Sequence, residues 1–244
     1  MYYKIINNNK ENWILLIHSI CSDMRVFDKY IDSLSNLYNI LLLDLPGHGI
    51  SRDIPMNYDI QNEVVEIMNK NNIPKVDIWA VSLGAIISIK IMEKYPERVS
   101  SAVLEGAAFG LKNRLYYNMF YMFNIVGSYI PSGIWLKLFT DVVISGKNKK
   151  RIVNQMKEYA KDINTQTILQ WLKFMEHEYK RNICNVANSI PIKKVYIIGS
   201  KDNVFKPCIV KHIAQNDFNQ IVVLENCSHL CHLDINVDIA KMLG

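Results

Sequence analysis

No uninterrupted apolar run in this 244-residue chain is long enough to cross a bilayer. A spanning helix needs roughly 20 predominantly apolar residues, so a transmembrane protein is not expected. The first residues, Met1-Tyr2-Tyr3-Lys4-Ile5-Ile6-Asn7, also lack the apolar stretch of a signal peptide. The cysteines (Cys21, Cys184, Cys208, Cys227 and Cys231) are odd in number, scattered and without a CxxC pair. That pattern argues against a disulfide scaffold and against zinc. A cytoplasmic protein with no metal and no cofactor is the expectation. Internal repeats and low-complexity linkers are missing, and no nucleic-acid-binding motif accompanies the basic residues, so a nucleic-acid partner is not expected. What is present is an ordinary globular balance, 50% hydrophobic and 21% charged, with a net charge of +5.

Strand-like and helix-like stretches alternate through the first part of the chain. Residues 13–18 form a short continuous apolar run of the kind buried parallel strands carry. Residues 26–37 show helical spacing, 39–45 a strand, 60–69 a helix, 76–81 a strand, 83–94 a helix and 99–105 a strand. This rhythm predicts a mostly parallel central sheet with helices on both faces. From about 107 to 189 the rhythm breaks and no strand is convincing. Residues 114–130 are rich in Tyr, Phe and Met, and 152–180 read as one or two amphipathic helices. Strand-like runs return at 194–199 and 221–224, and 234–243 suits a closing helix. The expected division is a core of residues 1–106 and 190–244 with a helical cap, 107–189, inserted into it.

Ala80-Val81-Ser82-Leu83-Gly84 ends the strand at 76–81 and opens the next helix. A serine between small residues at such a junction reads as a nucleophile on a sharp turn, its hydroxyl exposed above the sheet at a helix N-terminus. A serine hydroxyl is a weak nucleophile and needs a base with an orienting acid. Both follow in the order such turns require. Asp202 lies just after the strand at 194–199, and His229 just after the strand at 221–224. His232 is a second candidate base. Glu105, ending the strand at 99–105, is a rival acid. His18 reads as a residue that fixes a loop, His48 sits in a Gly-flanked loop, and His177 and His212 fall on expected surface helices. Asp44 reads as a structural turn residue.

Three further segments carry a family resemblance. Leu15-Leu16-Ile17-His18-Ser19-Ile20 resembles a strand ending in His-Gly-x. Leu43-Asp44-Leu45-Pro46-Gly47-His48-Gly49-Ile50-Ser51 resembles a D-x-P-G-x-G-x-S loop. Asn226-Cys227-Ser228-His229-Leu230-Cys231-His232-Leu233-Asp234 resembles a G-x-G-H-x-x-H-x-E segment. With the serine turn, these make the chain similar to the α/β-hydrolase superfamily. The similarity is to its small, capped, single-domain branch of serine carboxylesterases, which includes pimeloyl-carrier-protein methyl ester esterases. It covers residues 13–105 and 193 onward, not the cap. It implies an α/β-hydrolase fold with the cap after the sixth strand of the usual numbering, and a catalytic Ser82, Asp202 and His229. The oxyanion hole would be the backbone N–H groups of Leu83 and Ile20. The pattern is broken at Ser19, where glycine is expected, and a residue with a Cβ there calls for a different backbone conformation.

The aromatic cap suggests an apolar acyl pocket that Tyr116, Tyr117, Phe120, Tyr121, Met122, Phe123, Ile125 and Trp135 could line, with Tyr116, Phe120, Phe123 and Trp135 as its candidate lining. Charge is uneven: residues 107–189 hold twelve Lys or Arg against five Asp or Glu. Solvated helix faces account for much of this, and a basic rim would also attract an acidic acyl carrier protein. The expected activity is hydrolysis of a small-molecule carboxylic ester or thioester through an acyl-enzyme on Ser82. The same three residues in this superfamily also serve carbon–carbon hydrolases and lyases of the menaquinone-pathway-synthase kind, and ligand receptors.

Overall fold

The computed structural model describes residues 1–243. In chain order its elements are β1 (Tyr3–Ile6), β2 (Trp13–Ile17), α1 (Asp28–Ser35), β3 (Asn39–Leu43), α2 (Ile60–Lys70), β4 (Val76–Val81), α3 (Leu83–Lys94) and β5 (Val99–Glu105). Five helices follow: α4 (Arg114–Val126), α5 (Ser132–Val143), α6 (Lys149–Ala160), α7 (Thr165–Lys180) and α8 (Ile183–Ser189). The chain closes with β6 (Lys193–Gly199), α9 (Lys206–His212), β7 (Asn219–Leu224), α10 (Cys231–Asp234) and α11 (Ile239–Leu243).

The seven strands form one sheet in the order β1-β3-β2-β4-β5-β6-β7. Only β1 runs antiparallel, pairing Tyr3 with Leu43 and Ile6 with Ile40. This strand lay outside the six sequence-predicted ones, because four half-exposed residues at a sheet edge leave no apolar run to read. All of β3 and nearly all of β2, β4, β5 and β6 are buried, as expected of a parallel sheet covered on both faces. The chain passes from β2 outward to β3, then back across β2 to β4. The loops leaving the carboxyl ends of β2 and β4 thus turn in opposite directions and open a crevice, where ligands bind in open α/β sheets.

Between β5 and β6 lie the five helices α4–α8; counted along this chain, the strand before them is the fifth. The expected 152–180 segment is two helices. Its break comes at Asn164, whose side chain accepts from the Thr167 N–H and caps α7. The closing helix differs from expectation. Residues 235–238 are not helical, and Ile235 is extended. The Tyr30 hydroxyl donates to the carbonyl oxygens of both His232 and Ile235, which draws these groups away from helical pairing.

Helix α3 is apolar nearly all round and is buried accordingly, with α2, α7 and α8 packed against it. Its first turn comes very close to β2. A Cβ on Gly84 would lie 2.4 Å from the Ile17 carbonyl oxygen, a backbone atom that cannot swing aside. Gly→Ala in a helix ordinarily stabilises by up to about 1 kcal/mol. Here Gly84→Ala should instead destabilise, by about 1–3 kcal/mol, as overpacking does. Urea unfolding measures it, and an unchanged or raised midpoint would contradict the close approach.

Candidate active site

Ser82 stands between β4 and α3 with φ +54° and ψ −106°, a conformation costly for a residue with a Cβ. The surroundings hold it there. Its N–H donates to the Glu105 carbonyl oxygen at 2.8 Å, tying the turn to the end of β5. Gly84, two residues on, permits the helix to approach β2. The result is a buried serine whose hydroxyl points away from the sheet end toward the loop after β7.

That loop brings His229 to it. The His229 Nε2 lies 2.9 Å from Ser82 Oγ, and its Nδ1 lies 2.7 Å from Asp202 Oδ2. An ionised carboxylate only accepts, so the ring proton belongs on Nδ1 and the Nε2 lone pair faces the serine hydroxyl. Asp202 is fixed in turn by the N–H groups of Val204 and Phe205, which donate to Oδ1 at 3.0 and 2.9 Å. Burial pushes this carboxyl's pKa up. The His229 ring and the two N–H groups outweigh that and hold it below the ordinary carboxylate range. Phe205 packs on the imidazole with ring centroids 4.7 Å apart. Beneath the ring runs Gly106 at φ +54°, where a Cβ would lie 2.6 Å from the His229 carbonyl oxygen.

Glu105 does not reach His229. Its Oε1 accepts from the His232 N–H at 3.0 Å and lies 2.7 Å from His232 Nδ1. Burial raises the Glu105 pKa, but the His232 ring and N–H more than offset it, leaving the carboxyl below its usual range. A second buried carboxylate–imidazole pair thus anchors the loop three residues beyond His229. Asp234 secures the other side by accepting from both the Ser228 N–H and the Ser228 hydroxyl at 2.7 Å. In the sequence Glu105 and His232 stand as separate candidates for two roles, acid and base, and the fold pairs them with each other.

The loop after β2 lies on the opposite side of the crevice. His18 Nδ1 donates to the Ser19 carbonyl oxygen at 2.8 Å, and Nε2 accepts the Leu45 N–H at 2.9 Å, so it joins two loops. Asp44 accepts from the Met24 and Ile50 N–H groups, as a turn residue would. Ser19 needs no positive φ; the left-handed residue in this loop is Cys21, at φ +59°. The N–H groups of Ile20 and Leu83 donate to no protein group among the described residues. His177 and His212 are exposed on α7 and α9.

A cavity opens above Ser82, with Ile20 in its wall. Of the eight residues expected there, Tyr116, Phe120, Phe123 and Trp135 line it, whereas Tyr117, Tyr121, Met122 and Ile125 do not, the last three being exposed on the outer side of α4. Sequence reasoning missed Leu138, Phe139 and Val142 of α5 and Leu172, Met175 and Tyr179 of α7. A signal existed: Trp135, Leu138, Phe139 and Val142 stand at i, i+3, i+4 and i+7, the apolar stripe of one helix face. No charged side chain lines this cavity. Among the described residues no group of three or more His, Cys, Asp or Glu is placed to hold a metal ion. Nor is any helix among them long and apolar enough to cross a membrane.

A serine at φ +54° follows a central strand and is hydrogen-bonded to a histidine after the last strand of a seven-stranded, mostly parallel sheet, and a family model described as the alpha/beta hydrolase fold matches residues 12–130. The chain has the α/β-hydrolase fold. Among curated proteins it is similar to a pimeloyl-[acyl-carrier protein] methyl ester esterase of Wigglesworthia glossinidia brevipalpis, 22% identical over 93% of this chain and 90% of that one. A protein of the same name from Nitrosomonas europaea is 30% identical, but the match spans only 37% of this chain and 35% of the relative. Among solved structures, MenH from S. aureus superposes with a TM-score of 0.77 at 14% identity, covering 99% of this chain and 94% of that one. The α/β-hydrolase fold and the esterase-named relatives together support a hydrolase.

The His48 side chain lies behind the loop after β2, accepting the Cys21 N–H at Nε2 and donating from Nδ1 to the Pro46 carbonyl oxygen. Burial, with His18 nearby, lowers its pKa from 6.5 to about 3. The unfolded chain binds a proton there near pH 6.5 and the folded chain does not, so this group's contribution falls as the solution is acidified through that window. The loss is about 1.4 kcal/mol per pH unit at most. Between pH 6 and pH 4, His48→Gln should therefore lose unfolding free energy less steeply than the unaltered protein. Urea titrations at several pH values measure the two slopes, and equal slopes would contradict a neutral buried His48.

Proposed function

We propose that this α/β-hydrolase cleaves a small carboxylic ester or thioester with an apolar acyl part, through an acyl-enzyme on Ser82. The observation that carries this reading is the hydrogen-bonded series Ser82–His229–Asp202 opening onto an apolar cavity. In the proposed reaction His229 Nε2 takes the hydroxyl proton as Ser82 Oγ attacks the carbonyl carbon. The same proton then passes to the leaving alcohol or thiol as its bond to the acyl carbon breaks. Water, deprotonated by His229, attacks the acyl-enzyme and releases the acid and the free serine. Asp202 keeps the imidazole in the required tautomer and stabilises its charged form. The Leu83 and Ile20 N–H groups, without protein acceptors, would bind the oxyanion at the start of α3.

Helices α4–α8 serve in this reading as the cap that shapes the substrate. The absence of charge along the cavity wall disfavours an acyl chain ending in a free carboxylate, since an unpaired ion there would lose its water without compensation. An acidic carrier protein carrying the ester would suit the basic residues of the cap, yet it leaves the cavity's own preference for a neutral chain unchanged.

A panel of p-nitrophenyl esters tests this. Turnover should rise about tenfold or more in kcat/KM from acetate to a medium-length neutral acyl chain, and fall to background in Ser82→Ala. Asp202→Asn should fold normally and lower kcat by about 10⁴-fold, the order seen when a serine protease loses its aspartate. Glu105→Gln, which keeps an acceptor for the His232 N–H, should cost far less. A reversal of those two variants would move the acid to Glu105, and a folded protein inert toward every ester would favour carbon–carbon cleavage or elimination by the same residues.

A further inference from the structure

The outer face of the inserted helices is apolar where a soluble protein is ordinarily polar. Of the eighteen large hydrophobic side chains exposed in the described chain, ten lie between Leu115 and Val142. Helix α4 buries none of its thirteen residues, and Met122, Ile125 and Tyr129 are 56%, 69% and 88% exposed. Isolated exposed apolar residues need no explanation, but a contiguous concentration marks a binding surface.

Three observations decide what covers it. The face is net basic: from Lys112 to Val142 there are three cations, Lys112, Arg114 and Lys137, against one acid, Asp141, which is paired with Lys137 and Lys149. Beyond α5, Lys147 and Lys150 are exposed and make no ion pair among the described residues, as is also true of Lys112 and Arg114. Finally, the face surrounds the mouth of the cavity, since Met119, Leu138 and Val142 are at once exposed and part of its wall. A second copy of the chain would set cations against cations. A soluble acidic protein would meet the cations. An anionic bilayer surface takes both features, headgroups pairing with Lys and Arg while Leu, Met, Ile and Tyr side chains enter the headgroup–acyl boundary.

We propose that α4, α5 and the turn between them dock on an anionic lipid surface, with the cavity mouth facing the bilayer so that an apolar substrate enters from the lipid. Docking itself does not depend on the hydrolase reading; only its consequence for substrate entry does. The cations supply long-range attraction that salt weakens, and the apolar side chains supply the retained contact.

The test uses the Ser82→Ala protein, so that binding and hydrolysis are separated, and vesicles of phosphatidylcholine with or without phosphatidylglycerol. The protein should float with the anionic vesicles and stay in solution with the neutral ones. Met122→Asn/Ile125→Asn/Tyr129→Asn should lose affinity by about tenfold or more. In the Ser82 background, the same triple variant should turn over a short soluble ester at the unaltered rate. Lys147→Glu/Lys150→Glu should weaken binding at low salt and have little effect at high salt. Failure to float with anionic vesicles would overturn the proposal. So would a triple variant that binds as well as its parent, or one that instead loses self-association or binding to an acidic carrier protein. None of these results bears on whether Ser82 is the nucleophile.

Discussion

The site depends on one strained turn. Ser82 stands at φ +54° with its N–H taken up by the Glu105 carbonyl, and Gly84 lets α3 press onto the Ile17 carbonyl. The next strand then extends the constraint. Glu105 lends its backbone to Ser82 and its carboxylate to His232, and Gly106 passes directly beneath the His229 ring. One short segment, the end of β5, thus sets the relative position of the two groups that the proposed chemistry requires to be 2.9 Å apart.

Two buried carboxylate–imidazole pairs stand side by side with the same 2.7 Å contact at Nδ1. What separates them is the far ring nitrogen. His229 Nε2 meets the Ser82 hydroxyl, whereas His232 Nε2 has no hydrogen-bond partner among the described residues and sits among the rings of Phe27, Tyr30 and Trp79. The same carboxylate–imidazole pair therefore turns its free nitrogen to a serine hydroxyl in one case and to aromatic rings in the other, and the difference lies in which strand end faces which loop.

Much of this was legible in the sequence because parallel strands advertise themselves. The buried runs of β2, β3 and β4 need no partner to be read, and a serine, an aspartate and a histidine each placed just beyond such a run imply a shared edge. The rest depended on contacts between distant segments. That Glu105 belongs to His232 follows from the chain folding back over a sequence separation of 127, which no local spacing encodes. The β1 strand was invisible because its pattern is half-exposed, and the closing helix broke at Ile235 because a tyrosine from α1 claims its carbonyl. The cavity residues of α5 and α7 carried a readable helical stripe, but a stripe alone does not say whether it faces core or cavity.

The central claim is that the turn at Ser82 presents an activated nucleophile. Treating the protein with a fluorophosphonate and mapping the modified peptide by mass spectrometry tests it most directly. The account predicts one adduct, on Ser82, formed rapidly and lost in both Ser82→Ala and His229→Ala. Labelling that persists unchanged in Ser82→Ala would contradict it.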